Sequence, residues 1–388
     1  MTNFAVKWVI EGGGIVTSNA FYIKKVVLHR LNMQLKQPFT TNLGEFKNKD
    51  FFIVEVIDEN GNQGFGETVS FPTPWYTEET VETNKHVIEE FLVPLILNKA
   101  LSHPDQVSGL FEKVRRNNMA KAAVEGAVWD LYAKRKGIPL ATAIGGTKTK
   151  VDIGVSLGMQ TSINDLIHTI AQRVAEGYKR VKLKIKPGWD IEVIKQVRAT
   201  FPDLPIMVDA NSAYTLEDLD HLKQLDRFDL MMIEQPLGHD DFLEHAKFQS
   251  ELKTQICLDE SIHTLNDVKL AIQLGSCTII NVKVGRVGGI TVAKQIHDYC
   301  VKHNIDVWCG GMLEAGVGRA HSVAIATLPQ FTLPGDTAAS ANYWARDIIE
   351  PEVTVDNGQV TIPSRSGIGY ELDWQAIEQY RVDKQVFG

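Results

Sequence analysis

The chain has 388 residues, of which 44% are hydrophobic and 23% charged, as in ordinary globular proteins and unlike disordered or collagen-like chains. Its 40 Lys and Arg against 48 Asp and Glu give a net charge of −8, which argues against nucleic-acid and anionic-membrane partners because both bind basic surfaces. No apolar run approaches the roughly 18 residues of a membrane-spanning helix, and Lys7 and Glu11 interrupt the segment placed like a secretory signal. The four cysteines form no Cys-x-x-Cys pair, so we expect ordinary thiols in a cytoplasmic protein.

The first twenty residues have the features of an extension. Glu11 is followed by three glycines, and Glu-Gly-Gly is what a purine-rich bacterial ribosome-binding site encodes when it is read as protein. We therefore expect residues 1–20 to precede the folded domains, with the native start at Val16.

Residues 21–145 predict an α+β domain. Phe21–Phe39 and Phe51–Glu67 have the alternation of long antiparallel strands, the second bent at the turn that begins at Glu59. Helical patterns follow, and they cover Glu78–Leu97, Pro104–Asn117 and Ala120–Lys136.

Residues 146–339 predict a (β/α)8-type barrel. Eight short apolar runs recur at intervals of 23 to 28 residues, and most are separated by amphipathic helical segments. The runs begin near Val151, Tyr178, Leu204, Phe228, Gln255, Thr278, Asp306 and Phe331. An open doubly wound sheet is the alternative, but it usually has fewer strands and a glycine-rich fingerprint, whereas Gly154 and Gly158 stand alone. We expect residues 340–388 to pack back onto the N-terminal domain and complete it.

Three successive barrel strands end in a carboxylate. Asp209, Glu234 and Asp259 follow one another at two intervals of 25 residues, and the carboxyl ends of barrel strands meet at one mouth. Clustered carboxylates repel one another unless a cation neutralises them, and an all-oxygen set suits Mg²⁺, with Mn²⁺ as the alternative. Acidic residues that merely cap helices are the competing interpretation. Glu260 follows Asp259, and alternation lets only one of the two face inward; the residues alone leave that choice open.

Lysines flank this predicted metal site. Lys182 and Lys184 share one face of the second strand, so each is expected to lower the pKa of the other toward that of a general base. Lys283 ends the sixth strand, diametrically opposite in an eight-strand ring, and Arg286 is placed to act on it. Solvated rim charges are the competing interpretation. The carboxylates and lysines together indicate abstraction of a proton next to a substrate carboxylate, with the metal stabilising an enediolate. The glycine-rich turn that begins at Gly310 is either an anion site or only a tight turn.

The sequence resembles the enolase superfamily, in its muconate-lactonizing subgroup, and within that the o-succinylbenzoate synthase / N-succinylamino acid racemase family. The resemblance runs from Phe21 to the C-terminus. It rests on VKLKIKPGWD (181–190), VDANSAYT (208–215), IEQPL (233–237), CLDESI (257–262), NVKVGRVGGI (281–290), GGMLEAGVGRAH (310–321) and LPGDTAAS (333–340).

This resemblance implies roles for particular residues. It places the metal ligands on Asp209, Glu234 and Asp259, and so selects Asp259 over Glu260. It also implies that Lys184 and Lys283 are the acid/base pair, beside Lys182. The cap loops Pro38–Asn42 and Ser70–Tyr76 would set specificity. The further substrate-binding and supporting residues that we expect are Asn211, Phe71, Tyr76, Gly311, Met312, Arg286 and Glu260.

The family implies an enzyme with the fold of an enolase-like modified barrel and an N-terminal capping domain. The expected reaction is dehydration of 2-succinyl-6-hydroxy-2,4-cyclohexadiene-1-carboxylate to o-succinylbenzoate in menaquinone biosynthesis, together with racemisation of N-succinyl or other N-acyl amino acids. A dedicated N-acylamino acid racemase, a muconate cycloisomerase and a retired barrel with a binding role are the alternatives. We expect a small anionic carboxylate substrate, no organic cofactor and a homo-oligomer.

Overall fold

The computed structural model describes residues 20–41 and 44–388, so nearly all of the expected extension over residues 1–20 lies outside the described residues. The strands are β1 (Phe21–Thr41), β2 (Gly44–Asp58), β3 (Gln63–Glu67), β4 (Ala100–Leu101), β5 (Lys150–Asp152), β6 (Val155–Leu157), β7 (Val181–Lys184), β8 (Ile206–Asp209), β9 (Ile233–Glu234), β10 (Ile256–Leu258), β11 (Ile279–Val282), β12 (Asp306–Cys309), β13 (Ile349–Glu350), β14 (Gln359–Thr361), β15 (Glu371–Leu372) and β16 (Arg381–Phe387).

The α-helices are α1 (Val81–Val87), α2 (Val93–Ile96), α3 (Asp105–Leu110), α4 (Asn118–Lys136), α5 (Leu140–Ala143), α6 (Ile163–Ala175), α7 (Ile191–Thr200), α8 (Leu219–Leu222), α9 (Leu243–Glu251), α10 (Leu265–Leu274), α11 (Val284–Val287), α12 (Ile290–His303), α13 (Gly316–Ile325) and α14 (Trp374–Tyr380). A π-helical turn (Ile88–Leu92) joins α1 to α2, and 3₁₀ turns cover Leu216–Asp218, Lys223–Phe228 and Ser340–Asn342. Across these described residues, no helix is long and apolar enough to cross a membrane.

The N-terminal sheet has the order β16-β1-β2-β3, with β4 paired to the start of β1. The β1–β2 hairpin continues to the pairs Phe39↔Phe46 and Thr41↔Gly44. The described part of Pro38–Asn42 is therefore strand, and the expectation of a loop there is wrong because main-chain pairing carries the ladder to the tip. The helix expected over Pro104–Asn117 is also too long. It ends at Leu110, and no helix can continue to Asn117 because Arg116 and Asn117 take left-handed backbone angles, with φ of 51° and 53°.

The barrel sheet is parallel, with the order β12-β11-β10-β9-β8-β7-β6. The eighth strand expected near Phe331 is not formed as a strand in the described chain. Instead, Phe331 forms a single bridge with Val307 of β12, and Gly335 forms one with Ile153, two residues before β6. Pro334 lacks an amide hydrogen and interrupts any continuous ladder at this point.

The C-terminal segment returns to both parts of the molecule. Strand β16 pairs antiparallel with β1, from Val26↔Phe387 to Leu31↔Arg381. Strand β14 pairs with β5, directly before the first barrel strand. The tail therefore adds an edge to the N-terminal sheet and also lies along the barrel.

Buried carboxylates join the N-terminal domain to the barrel. Glu67, at the end of β3, accepts hydrogen bonds from the amides of Ala315 and Gly318 at 2.7 Å each, at the start of α13. Glu125, on the buried helix α4, accepts from the amides of Ile290 (2.8 Å) and Thr291 (2.9 Å) at the start of α12. Each carboxylate satisfies helix amides that have no partner within the helix itself.

Candidate active site

Three carboxylates lie side by side at the carboxyl ends of the barrel strands. Asp209 ends β8, Glu234 ends β9, and Asp259 directly follows β10; the first two are direct partners across the ladder. All three are at most 1% exposed. Glu234 also pairs with Cys257 on β10, so Asp259 lies two residues farther along and its side chain leaves the strand on the same face as that of Cys257.

Lys182 joins two of these carboxylates. Its Nζ lies 2.8 Å from Asp209 Oδ2 and 2.7 Å from Glu234 Oε2. Burial lowers the pKa of Lys182, but the charges of Asp209 and Glu234 outweigh it, so the pKa lies well above the ordinary value. The sequence-based expectation that neighbouring lysines lower its pKa is therefore wrong, because the nearest charges are carboxylates.

Lys184 lies beside the same carboxylates, and its side chain lines the pocket. Its Nζ donates to Asp209 Oδ2 at 2.7 Å and to Asn211 Oδ1 at 2.6 Å. Asn211 also donates to Glu260 Oε1 at 2.8 Å. Glu260 therefore faces Asn211, whereas Asp259 faces Lys283. The two consecutive side chains point in different directions, as the alternation of side chains along a strand predicts.

Lys283 approaches Asp259 from the far side of the ring. Its Nζ lies 2.9 Å from Asp259 Oδ2, and Arg286 Nη1 contacts the other oxygen. Burial has the largest single effect on the pKa of Lys283 and lowers it, but the negative groups around it, Asp259 first and then Tyr76, together raise it above the ordinary value. Arg286 also lowers the pKa of Lys283, by less than Asp259 raises it.

Tyr76 brings the N-terminal domain into the barrel mouth. Its hydroxyl lies 2.9 Å from Lys283 Nζ and 2.9 Å from Arg286 Nη1. Phe71 stacks on Phe46 at 4.5 Å between ring centroids. These aromatic side chains cover the lysines and carboxylates from above, so the N-terminal domain forms one wall of the site.

The carboxylates fit a divalent cation in their chemistry. Burial, together with the charges of Asp209 and Asp259, raises the pKa of Glu234 to about 7. Such mutual repulsion is what a bound divalent ion relieves, and the donors are oxygens only. As the side chains lie, no three His, Cys, Asp or Glu residues of the described chain form a metal-ligand set. Lysine and arginine groups contact the carboxylate oxygens instead.

A pocket above this cluster collects residues from both domains. It is lined by Phe46, Phe71, Trp75, Tyr76, Ser156, Lys182, Lys184, Asn211, Lys283, Gly311, Met312, Leu313, Glu314, Arg319, Asp336 and Tyr343. The structure therefore brings together the predicted lysines, Asn211, Phe71, Tyr76, Gly311 and Met312. Glu260 lines a neighbouring cleft behind Asn211 instead.

Sequence reasoning missed Phe46, Ser156, Glu314, Arg319 and Tyr343. Ser156 pairs with Lys182 across the ladder, so its place was available from strand alignment. Glu314 lies in the glycine-rich turn that begins at Gly310, and its Oε2 accepts a hydrogen bond from the Met312 amide at 2.9 Å. That amide is therefore already bonded, which argues against the turn's use as a free anion site.

Comparison with known proteins identifies the family. Residues 23–145 match the N-terminal domain of the mandelate racemase / muconate lactonizing enzymes, and residues 165–376 match the enolase C-terminal domain-like family. The chain belongs to the enolase superfamily. A solved structure of an enolase-superfamily member from Listeria innocua superposes with a TM-score of 0.93 at 46% identity, covering 95% of this chain and 99% of that one.

Two curated relatives narrow the family further. The chain is 57% identical to an o-succinylbenzoate synthase of Geobacillus kaustophilus, over 95% of this chain and 98% of the relative. It is 43% identical to an N-succinylamino acid racemase of Thermus thermophilus, over 92% of this chain and 96% of the relative. This enolase-superfamily enzyme therefore belongs to the o-succinylbenzoate synthase / N-succinylamino acid racemase family, and the expected family is confirmed.

Proposed function

We propose that this enzyme dehydrates 2-succinyl-6-hydroxy-2,4-cyclohexadiene-1-carboxylate to o-succinylbenzoate, a step of menaquinone biosynthesis in the cytoplasm, and that it also racemises N-succinylamino acids. The observation that carries the proposal is the placement of Lys184 at the end of β7 and of Lys283 directly after β11, on opposite sides of three buried carboxylates. The names of the relatives, a synthase and a racemase, support the two reactions.

The common chemical step is removal of a proton from the carbon next to a carboxylate. We assign Asp209, Glu234 and Asp259 as ligands of Mg²⁺, with Mn²⁺ as the alternative. The bound ion would supply positive charge that stabilises the extra negative charge of an enediolate on the substrate carboxylate. Tyr76 and the aromatic side chains beside it exclude water from this charge.

In dehydration, Lys184 takes the ring proton and returns a proton to the departing hydroxide, so that water leaves and the ring becomes aromatic. Lys283 stabilises the intermediate through its positive charge. In racemisation, one lysine removes the α-proton and the other delivers a proton to the opposite face. Both reactions use the same two amines because they share the same first step.

Removal of the metal tests this proposal. Treatment with EDTA should abolish synthase activity, and Mg²⁺ or Mn²⁺ should restore it. Asp209→Asn should weaken Mg²⁺ binding at least about tenfold in calorimetry, because a neutral amide is a poorer ligand for a hard cation. Asp220→Asn, on the exposed surface of α8, is the matched control and should bind Mg²⁺ like the wild type. Full activity in metal-free buffer would contradict the proposal.

A further inference from the structure

Arg319 has an unusual environment in the wall of the pocket. It lies in the first turns of α13 and is 3% exposed. Its guanidinium donates to the carbonyl oxygens of Ala338 and Glu314, the latter at 2.7 Å. Its Nε is buried and has no hydrogen-bond partner among the residues that the structure describes. Within that part of the chain, only neutral groups accept hydrogen bonds from this side chain.

Other buried guanidinium groups in this barrel are paired with acids. Arg180 lies 2.8 Å from Asp336 Oδ1, and Arg286 contacts Asp259. Arg319 makes no ion pair within 4.0 Å among the described residues. A buried charge without a counter-charge is costly, and proteins usually pair such a charge or neutralise it. Because Arg319 lines the pocket, a ligand that enters the pocket can provide the missing negative charge.

The proposed function places the substrate carboxylate next to the reacting carbon at a different part of the pocket. Lys182, Lys184 and Lys283 all contact the cluster of Asp209, Glu234 and Asp259. None of the bonds of Arg319 goes to that cluster. Arg319 is thus a second positive centre in the same pocket, separate from the reacting end.

We propose that Arg319 recognises a second, distal carboxylate of the substrate, such as the free carboxylate of a succinyl group. This inference rests on the proposed function, whose substrates carry one carboxylate beside the reacting carbon and another at the end of the succinyl chain. A guanidinium suits this task because its charge is permanent and its donors match a carboxylate in shape. Glu314 also lines the pocket, and its negative charge opposes the same ligand.

A pair of substrates that differ only in the distal charge tests the assignment. The two substrates are an N-succinylamino acid and the N-succinamoyl form of the same amino acid, in which a neutral amide replaces the distal carboxylate. The wild type should prefer the succinyl form in kcat/KM. Arg319→Gln should lower this preference at least about tenfold, since hydrogen bonds to charged groups are worth more than neutral ones. Glu314→Gln should raise it, because the opposing charge is gone.

Arg319→Lys keeps the charge and is used if the glutamine variant does not fold; it should retain most of the preference. Binding of o-succinylbenzoate and of its distal amide, measured by calorimetry, gives the same comparison without catalysis. Equal losses on both substrates, or an unchanged ratio in the glutamine variant, would overturn the role of Arg319 while leaving the proposed function intact. Failure of the wild type to act on or bind any of these compounds would overturn the proposed function and this inference with it.

Discussion

Lys182 and Lys184 lie two residues apart on one strand and have different surroundings. Lys182 lies within 2.8 Å of two carboxylates and 3.6 Å from Asp336, so it is a fixed positive charge. Lys184 contacts one carboxylate and the Asn211 amide and faces the pocket. This difference favours Lys184 as the residue that moves the proton and Lys182 as the residue that neutralises its surroundings.

His321 gives a pH-dependent contribution to stability. The ring is buried against Gly126 of α4, where a Cβ would lie 2.8 Å from the ring, and burial lowers the pKa of His321 to about 4. In an unfolded chain the pKa is about 6.5. Between these values the unfolded chain binds a proton that the folded chain does not. The free energy of unfolding therefore falls as the pH falls through this range, by roughly 3 kcal/mol in all.

Urea unfolding of the wild type and His321→Gln from pH 8 to pH 4 measures this contribution. The stability advantage of the wild type should shrink steadily below pH 6.5, because the variant has no proton to gain. His168→Gln, on the exposed side of α6, is the control, since its ring stays in water in both states. The same pH dependence in the two variants would contradict the assignment.

At the scale of elements, the start of α13 links the two domains to the pocket. Glu67 holds the amides of Ala315 and Gly318, and Met312, Leu313 and Arg319 on either side of them line the pocket. The start of α12 is held in the same way by Glu125, but it lies outside the pocket wall. The two carboxylates therefore have the same structural task in different places.

A comparison of Glu67→Gln with Glu125→Gln separates an effect on the pocket wall from an effect on the stability of the fold. Each variant should lose about 1–3 kcal/mol of unfolding free energy, because a buried network loses a charged acceptor. Only Glu67→Gln should also raise KM several-fold with a smaller change in kcat, since the pocket wall shifts with α13. The assays are best run at pH 8, because burial raises the pKa of Glu125 to about 7. Equal KM values in both variants would show that Glu67 has no influence on the pocket.

Elements whose signal is local could be predicted from the sequence, and those that depend on distant contacts could not. The regular spacing of apolar runs located seven barrel strands, and the strand ends placed Asp209, Glu234 and Asp259 side by side. The eighth apolar run does not form the predicted strand, because Pro334 interrupts the ladder of hydrogen bonds. Phe46 was missed because it reaches the pocket only through the packing of the N-terminal domain on the barrel, and Arg319 because contacts with the carbonyls of Glu314 and Ala338 place it there; no local sequence pattern records either.

At the scale of the molecule, the N-terminal domain closes the pocket with aromatic side chains. Phe71 packs on Phe46 and lies 6.3 Å from Tyr76 between ring centroids. Phe71→Ala should change the relative kcat/KM for different N-acyl amino acids several-fold, because it removes part of the wall that the acyl or side chain contacts. Phe91→Ala, a half-exposed phenylalanine of the same domain that does not line the pocket, is the control. An unchanged substrate ranking in Phe71→Ala would assign Phe71 to interdomain packing alone.

The two-sided arrangement of lysines is the central feature of the whole barrel. Lys184 at the end of β7 and Lys283 directly after β11 lie on opposite sides of the site, and in the proposed mechanism each amine acts on one face of the substrate carbon. Lys184→Ala and Lys283→Ala should each lose racemisation by about 10²–10⁴-fold or more, as for a positioned acid or base. Lys186→Ala, an exposed neighbour on the same segment, should racemise like the wild type.

Proton exchange in deuterated solvent tests this arrangement most directly. Each variant is incubated with the L and the D form of an N-succinylamino acid in separate samples, and loss of the α-proton is followed by NMR. We expect each variant to exchange the proton of one enantiomer only, and Lys184→Ala and Lys283→Ala to select opposite enantiomers. Exchange of both enantiomers by either single variant would contradict the two-sided arrangement.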